Sequence, residues 1–254
     1  MAIIALKAWY ISEYEPIHQL EQRPHDLRLS KNSLLKSALR ADFLDDSDRV
    51  KDSVWFRRYL EGELVEFYIE GSGGYAISNI DLISHEIYFT KRDTMAHLEP
   101  TLFFCYQTDY SPSSDLIREA LQQWLEVFNQ RSRLPLTLEE SHRSMDGPVR
   151  LSSKLMRKIR QSLLFIADGT PILQLDGTPP KLLPSPTVCV EVGYALHCKR
   201  REQVLLLQQE RSDVSGQFPF DVPSGDRLLF NGAKDLKQAL AAQLAEHLSP
   251  FNLV

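Results

Sequence analysis

The 254 residues, 43% hydrophobic and 25% charged, suffice for two small domains or one larger core and are ordinary for a globular chain. A formal net charge of -5 supplies no general attraction to nucleic acid or to an anionic membrane surface, so neither is expected as a partner. No apolar run approaches the roughly 20 residues of a membrane-spanning helix and the first residues lack a secretory pattern, which makes a cytoplasmic protein the expectation.

In chain order, the first strand signal is Ile3 to Ile11. Ser30 to Leu44 and Val54 to Leu60 carry apolar residues at helical spacing, with Ser30 and Asp52 or Ser53 as N-cap candidates. Within the second of these, Trp55-Phe56-Arg57-Arg58-Tyr59 mixes aromatics with arginines. That cluster reads either as a stacking site for a nucleotide or as one apolar and one solvated helix face. Leu64 to Ile69, Tyr75 to Ile80 and Ile83 to Thr90 then read as an antiparallel meander. Its turn, Gly71-Ser72-Gly73-Gly74, supplies the positive φ angles of a tight hairpin. A phosphate-cradling loop is the alternative, and it needs a following helix that the pattern lacks. Residues 1–97 are thus expected to be a small α+β domain.

From residue 98 to 254 the pattern changes to strands alternating with helices. Leu102 to Tyr106 reads as a strand, Ser111-Pro112-Ser113-Ser114 as a polar turn, and Asp115 to Phe128 as a helix with an apolar stripe through Ile117, Leu121 and Leu125. Leu134 to Leu138 is a strand and Leu151 to Arg160 a helix. Leu163 to Ala167, Val188 to Val190 and Val204 to Gln208 are continuous apolar runs of the kind found in buried parallel strands. Arg227 to Phe230 and Ala233 to Leu248 close the chain as strand and helix. The expectation is an α/β domain built on a doubly wound parallel sheet.

Cys105, Cys189 and Cys198 are odd in number, two of them within apolar runs, and are expected to be reduced and structural. The seven histidines are scattered without zinc-type spacing, so neither a metal nor a resident cofactor is expected.

In open parallel sheets ligands bind at the carboxyl ends of the strands, which directs attention to the polar residues after each apolar run. These are Tyr106, Gln107, Thr108 and Asp109, then Asp168 and Thr170, then Glu191, and then Phe218 to Asp221. Each has a plainer reading. Tyr106 and Gln107 suit stacking on and hydrogen-bonding a base, yet an aromatic ending a buried strand also serves the core. Asp168 suits a second carboxyl, or a loop-organising residue that accepts from backbone amides. Arg143 suits a phosphate contact or a solvated charge. A glutamate near a helix start interacts favourably with the helix amides without any catalytic role.

The segment Pro184-Ser185-Pro186-Thr187-Val188, followed by Glu191-Val192-Gly193-Tyr194-Ala195, resembles Pro-Asn-Pro-Asn-Val followed by Glu-Leu-Gly-Tyr-Ala. That pattern belongs to TIR-like domains related to nucleoside 2-deoxyribosyltransferases, many of them in bacterial defence proteins. Four further matches follow the family's order. Phe103 to Asp109 is similar to an opening strand ending Tyr-Gln-Ser-Asp, and Gly147 stands in the mid-domain loop. Phe165 to Thr170 resembles Val-Ala-Asp-Val-Thr, and Phe218 to Asp221 resembles Leu-Pro-Phe-Asp. The resemblance covers about residues 101–248. Ser185 and Thr187 replace the two asparagines, and Gly169 follows Asp168 where the family has a larger residue.

The resemblance implies a flavodoxin-like or TIR-like sheet and cleavage of the N-glycosidic bond of NAD or a related nucleotide. Glu191 and Asp168 would be its catalytic carboxylates. Tyr106, Gln107, Asp109, Arg143, Gly147, Thr170, Ser185, Thr187 and Tyr194 would contact the substrate. A carboxylate suits this chemistry because oxocarbenium charge develops on the ribose as the base departs. Nicotinamide leaves as a neutral molecule, so NAD needs no general acid, whereas a purine nucleoside does. Non-catalytic nucleotide binding and base exchange between nucleosides are the alternatives. A homo-oligomer, with residues 1–97 receiving an activating ligand or partner protein, is also expected by the resemblance.

Overall fold

In the computed structural model, which describes residues 5–30, 38–142, 152–219 and 224–254, the chain divides into two units, Met1–Leu98 and Glu99–Val254. Unit 1 contains β1 (Ala5–Ile11), α1 (Ile17–Leu20), β2 (Leu27–Ser30), β3 (Ala38–Asp42), α2 (Ser47–Asp52), α3 (Val54–Leu60), β4 (Glu66–Ile69), β5 (Gly73–Asp81) and β6 (Glu86–Lys91). The six strands run in the order β2-β1-β4-β5-β6-β3, with every pairing antiparallel. An isolated bridge from Leu29 to Phe43 and the bond from Leu44 N to Arg28 O draw the edges together, so the sheet nearly closes into a barrel.

The expected meander is β4-β5-β6. Its first turn places Gly71 at φ 67° and Gly73 at φ 110°, the left-handed region that glycine enters without a Cβ clash. A strand, not a helix, follows those glycines. The helix expected over Ser30–Leu44 is replaced by strand at Ala38–Asp42, while residues 31–37 lie outside the described residues. The reason is tertiary: β6 offers an unpaired edge, and Ala41 and Asp42 fall in register with Ile87 and Glu86. Ladder hydrogen bonds outweigh the few tenths of a kcal/mol per residue at stake in helix propensity. α3 forms as expected, with Ser53 Oγ accepting from Phe56 N at 3.2 Å. It buries Trp55 and Phe56 and exposes Arg57 and Arg58, with the Trp55 ring edge-on to Phe67 at 5.2 Å. The aromatic members of that cluster are therefore core.

Unit 2 contains β7 (Glu99–Cys105), α4 (Ser111–Phe128), β8 (Thr137–Glu140), α5 (Ser153–Gln161), β9 (Ser162–Asp168), β10 (Pro171–Leu175), β11 (Lys181–Pro184), α6 (Pro186–Cys198), β12 (Val204–Gln209), β13 (Arg227–Phe230) and α7 (Ala233–Leu248). Its main sheet has the order β13-β12-β9-β7-β8 and is parallel throughout. Numbered within the unit, the order is 2-1-3-4-5 read from the β8 edge.

Side chains alternate across this sheet. Phe103, Cys105, Phe165, Ala167, Val204 and Leu206 pack with Leu155 and Ile159 of α5 and Val188, Val192 and Ala195 of α6. Leu102, Phe104, Leu164, Ile166, Leu205 and Leu207 are just as buried and by the two-residue period point to the opposite face. There α4 and α7 supply Ile117, Leu121, Leu236, Leu240 and Leu244. An α/β unit with helices on both faces of a parallel sheet results.

Three local expectations change. α4 begins at Ser111, so the polar Ser-Pro-Ser-Ser stretch is its first turn, with proline where no helical N–H is required. Val188 to Val190 is not a strand. It lies within α6, where Val188, Val192 and Ala195 recur at helical spacing on the buried side and Val190 is 54% exposed. The antiparallel β10-β11 hairpin was not anticipated, because a two-stranded ribbon with one exposed face carries little periodic signal. Among the described residues no helix is long and apolar enough to cross a membrane.

Candidate functional site

The parallel sheet changes winding direction between β7 and β9. The chain leaves β7 through α4 toward β8, then returns through α5 to β9 on the other side. Loops at such a switch point diverge and leave a crevice beyond the carboxyl ends of the strands. Tyr106 to Tyr110 and Asp168 to Thr170 are the residues delivered there.

Asp168 is fully buried and accepts from Ser113 Oγ at 2.5 Å, Ser114 Oγ at 2.6 Å and Thr170 N at 3.0 Å. The two serines belong to the first turn of α4, whose amide end favours a nearby carboxylate. Ser113 has one hydroxyl proton, and Asp168 at 2.5 Å is a better acceptor than Tyr110 O at 3.1 Å. The arrangement organises the loop and the helix start: both oxygens of Asp168 are engaged by the protein.

Gln107 is also buried. Its backbone N–H donates to Ser114 Oγ at 3.0 Å and its Nε2 to Thr170 O at 2.9 Å. Its Oε1 is enclosed without a donor among the described residues. The amide cannot usefully turn over, because Oε1 would then face the Thr170 carbonyl. An enclosed acceptor of this kind costs about 1–3 kcal/mol unless water or a ligand N–H reaches it. Thr170 is buried as well, and its Oγ1 accepts from Gln209 N at 2.9 Å, tying the β9 loop to the end of β12.

Asp109 is exposed, and its Oδ2 accepts from Ser185 Oγ at 2.6 Å. Ser185, the N-cap residue of α6, therefore spends its hydroxyl on the β7 loop and not on its own helix. Thr187 is half-buried in the first turn of that helix. Tyr106 is half-buried, with the Arg118 guanidinium 5.2 Å from its ring centroid. On the β12 side, the Arg211 guanidinium stands 4.5 Å from the Tyr110 ring centroid and donates to Pro171 O at 2.8 Å.

Glu191 lies on the buried side of α6 with no exposed surface. Its Oε2 accepts from Ser141 Oγ at 2.6 Å, and the Ser141 backbone N–H donates to Phe104 O at 3.0 Å. The carboxylate is thus placed beside the carboxyl ends of β7 and β8. Tyr194 is set apart from these groups. It lines a cleft with residues of α5, and burial, helped by the neighbouring Cys198 of its own helix, pushes its pKa up. Arg143, Gly147 and Asp221 lie outside the described residues.

Burial raises the pKa of both the Cys189 and Cys198 thiols, which disfavours thiolate nucleophiles at either position. Among the described residues no His, Cys, Asp and Glu side chains gather as a metal-binding group.

The structure therefore brings Gln107, Asp168 and Thr170 into one network, joins Asp109 to Ser185, and places Glu191 with Ser141. Ser113, Ser114, Ser141 and Gln209 were not singled out from sequence. For the two serines a signal existed, since Ser-Pro-Ser-Ser ahead of an apolar stripe is a helix-start pattern. No protein-family model matches this chain, and no curated protein is similar to it in sequence.

Proposed function

We propose that unit 2 binds a nucleotide at its switch-point crevice and hydrolyses the N-glycosidic bond, with NAD or a related nucleotide as substrate. The sheet is read as flavodoxin-like or TIR-like. The strand order 2-1-3-4-5 supports this, as does the motif resemblance over about residues 101–248. The observation that carries the reading is the placement of Glu191 beside the carboxyl ends of β7 and β8, held by Ser141 at 2.6 Å.

In the proposed step the bond between ribose C1′ and the nicotinamide nitrogen breaks, and its electron pair neutralises the pyridinium. Glu191 stabilises the ribosyl cation, and water adds at C1′ and releases a proton. Gln107 Oε1 would receive an N–H of the base or its carboxamide. Asp168, with both oxygens engaged, positions the loop and the start of α4. Unit 1 would receive an activating ligand or partner, and self-association would accompany activation.

Binding without turnover is a second reading, favoured by the complete burial of Glu191. Incubation of the protein with NAD and with deoxynucleosides, followed by chromatography, separates the readings. Nicotinamide release that disappears in Glu191→Gln supports hydrolysis. Release that survives in that variant defeats the assignment of Glu191. NAD binding without release, lost in Gln107→Leu, supports the second reading.

A further inference from the structure

α5 presents a basic flank. Lys154, Arg157 and Arg160 recur at every third position, climbing the helix over about 9 Å, and all are exposed. Their neighbour Lys158 is tied to Glu139 at 3.1 Å. None of the three takes part in an ion pair among the described residues. Together with Ser153, Met156 and Tyr194 they line an open cleft of about 510 Å³. Tyr194 stands across from them on α6, bringing an aromatic ring to a cationic wall.

Three like charges along one flank repel one another. A multivalent anion reverses the sign of that interaction. Arginine forks match phosphate oxygens two at a time, while lysine serves as a point charge. The cleft has the size of a small-ligand site, about 300–1,000 Å³. The chain's net charge of -5 works against a long polyanion, whose affinity accumulates over many phosphates.

We infer that the cleft between α5 and α6 is a binding site for a small organic polyphosphate, a nucleoside di- or triphosphate. Its phosphates are held by Arg157, Arg160 and Lys154, and its base rests on Tyr194. The site is distinct from the switch-point crevice and does not depend on the role given to Glu191.

Calorimetric titration of the full chain with ADP and with inorganic pyrophosphate, at about 0.1 M salt where surface charges still act, tests the site. Both ligands should bind. The double substitution Arg157→Gln and Arg160→Gln should weaken both by about tenfold or more, equal to about 1.4 kcal/mol, and Lys154→Gln by a smaller factor. Tyr194→Leu should weaken ADP and leave pyrophosphate unchanged. The three cations are exposed, so circular dichroism melts of their variants should match the parent. Glu191→Gln should leave pyrophosphate affinity intact even as it abolishes base release, so the two proposals fail separately. Pyrophosphate that does not bind at millimolar concentration, or binds the double variant as tightly as the parent, overturns the inference. So does a single-stranded oligonucleotide that binds more tightly than ADP, which would assign this face to nucleic acid.

Discussion

The two units solve the problem of burying a sheet in opposite ways. Unit 1 curls an antiparallel sheet around aromatic side chains, and among the described residues its buried polar side chains, tyrosines and tryptophans aside, are Ser30, Asp45 and Thr94. Unit 2 covers a parallel sheet on both faces with helices and buries Gln107, Ser113, Ser114, Asp168, Thr170 and Glu191 near the ends of its strands. Strand ends are where backbone groups lose their ladder partners, so polar side chains there have backbone to satisfy. They are also where a change of winding direction makes the loops of open parallel sheets diverge. The difference teaches that polar burial in unit 2 serves loop construction first, and that a ligand role must be sought among groups the loops leave unmatched, such as Gln107 Oε1.

The largest effect is expected in the aromatic core of unit 1. Phe67 is fully buried and contacts Trp55, Phe89 and Tyr10, so Phe67→Ala should cost about 3–5 kcal/mol. Hydrogen exchange should quicken across β4, β5 and β6 while the amides of β9 keep their protection. Equal acceleration in β9 would break the distinction between the two cores.

Asp168→Ala should come next, at about 2–4 kcal/mol, because it strands two serine hydroxyls and the Thr170 amide in a buried place. Asp168→Asn should cost less, since its remaining carbonyl oxygen can still take the Thr170 N–H and the serine hydroxyls can rotate to accept. Urea titration of both variants checks the order. If Asp168→Asn were as unstable as Asp168→Ala, the carboxylate charge and not the hydrogen bonds would dominate.

Polar burial at the other end of the sheet makes a pH prediction. Lys199, 9% exposed, donates to Ser162 O at 2.5 Å, and desolvation lowers its pKa from 10.5 to about 8. Below pH 8 both folded and unfolded chains carry this proton and the buried charge costs stability in full. Between about pH 8 and 10.5 the unfolded chain holds the proton more tightly, so stability rises with pH through that window, by up to about 3 kcal/mol for this group alone. Subtracting the urea stability of Lys199→Met at each pH isolates the effect. A difference that stays flat from pH 7.5 to 10 would refute it.

The smallest effects should be alike in the two units. Ser53 caps α3 by accepting from Phe56 N, and Ser152 caps α5 by accepting from Leu155 N. Replacing either by alanine should cost about 1 kcal/mol, measurable as a small shift of the thermal midpoint.

Sequence alone located the elements whose pattern is local. The stripe of α4 and the continuous apolar runs of β9 and β12 are periodic signals that survive in any tertiary setting. The meander of unit 1 was legible for the same reason, and the start of α3 was narrowed to Asp52 or Ser53, of which Ser53 makes the cap. Gln107, Asp168, Thr170 and Glu191 were reached as polar residues following an apolar run, which fixes their place and not their role. What tertiary structure decided were the cases in which a distant partner sets the outcome. Ala38–Asp42 became strand because β6 had an open edge, and Val188 to Val190 joined a helix because α6 needed a face to lay on the sheet. Ser113, Ser114 and Ser141 acquired their tasks from carboxylates 55, 54 and 50 residues away. A hydroxyl has no period in sequence, and its partner is fixed only when the chain has brought the two together.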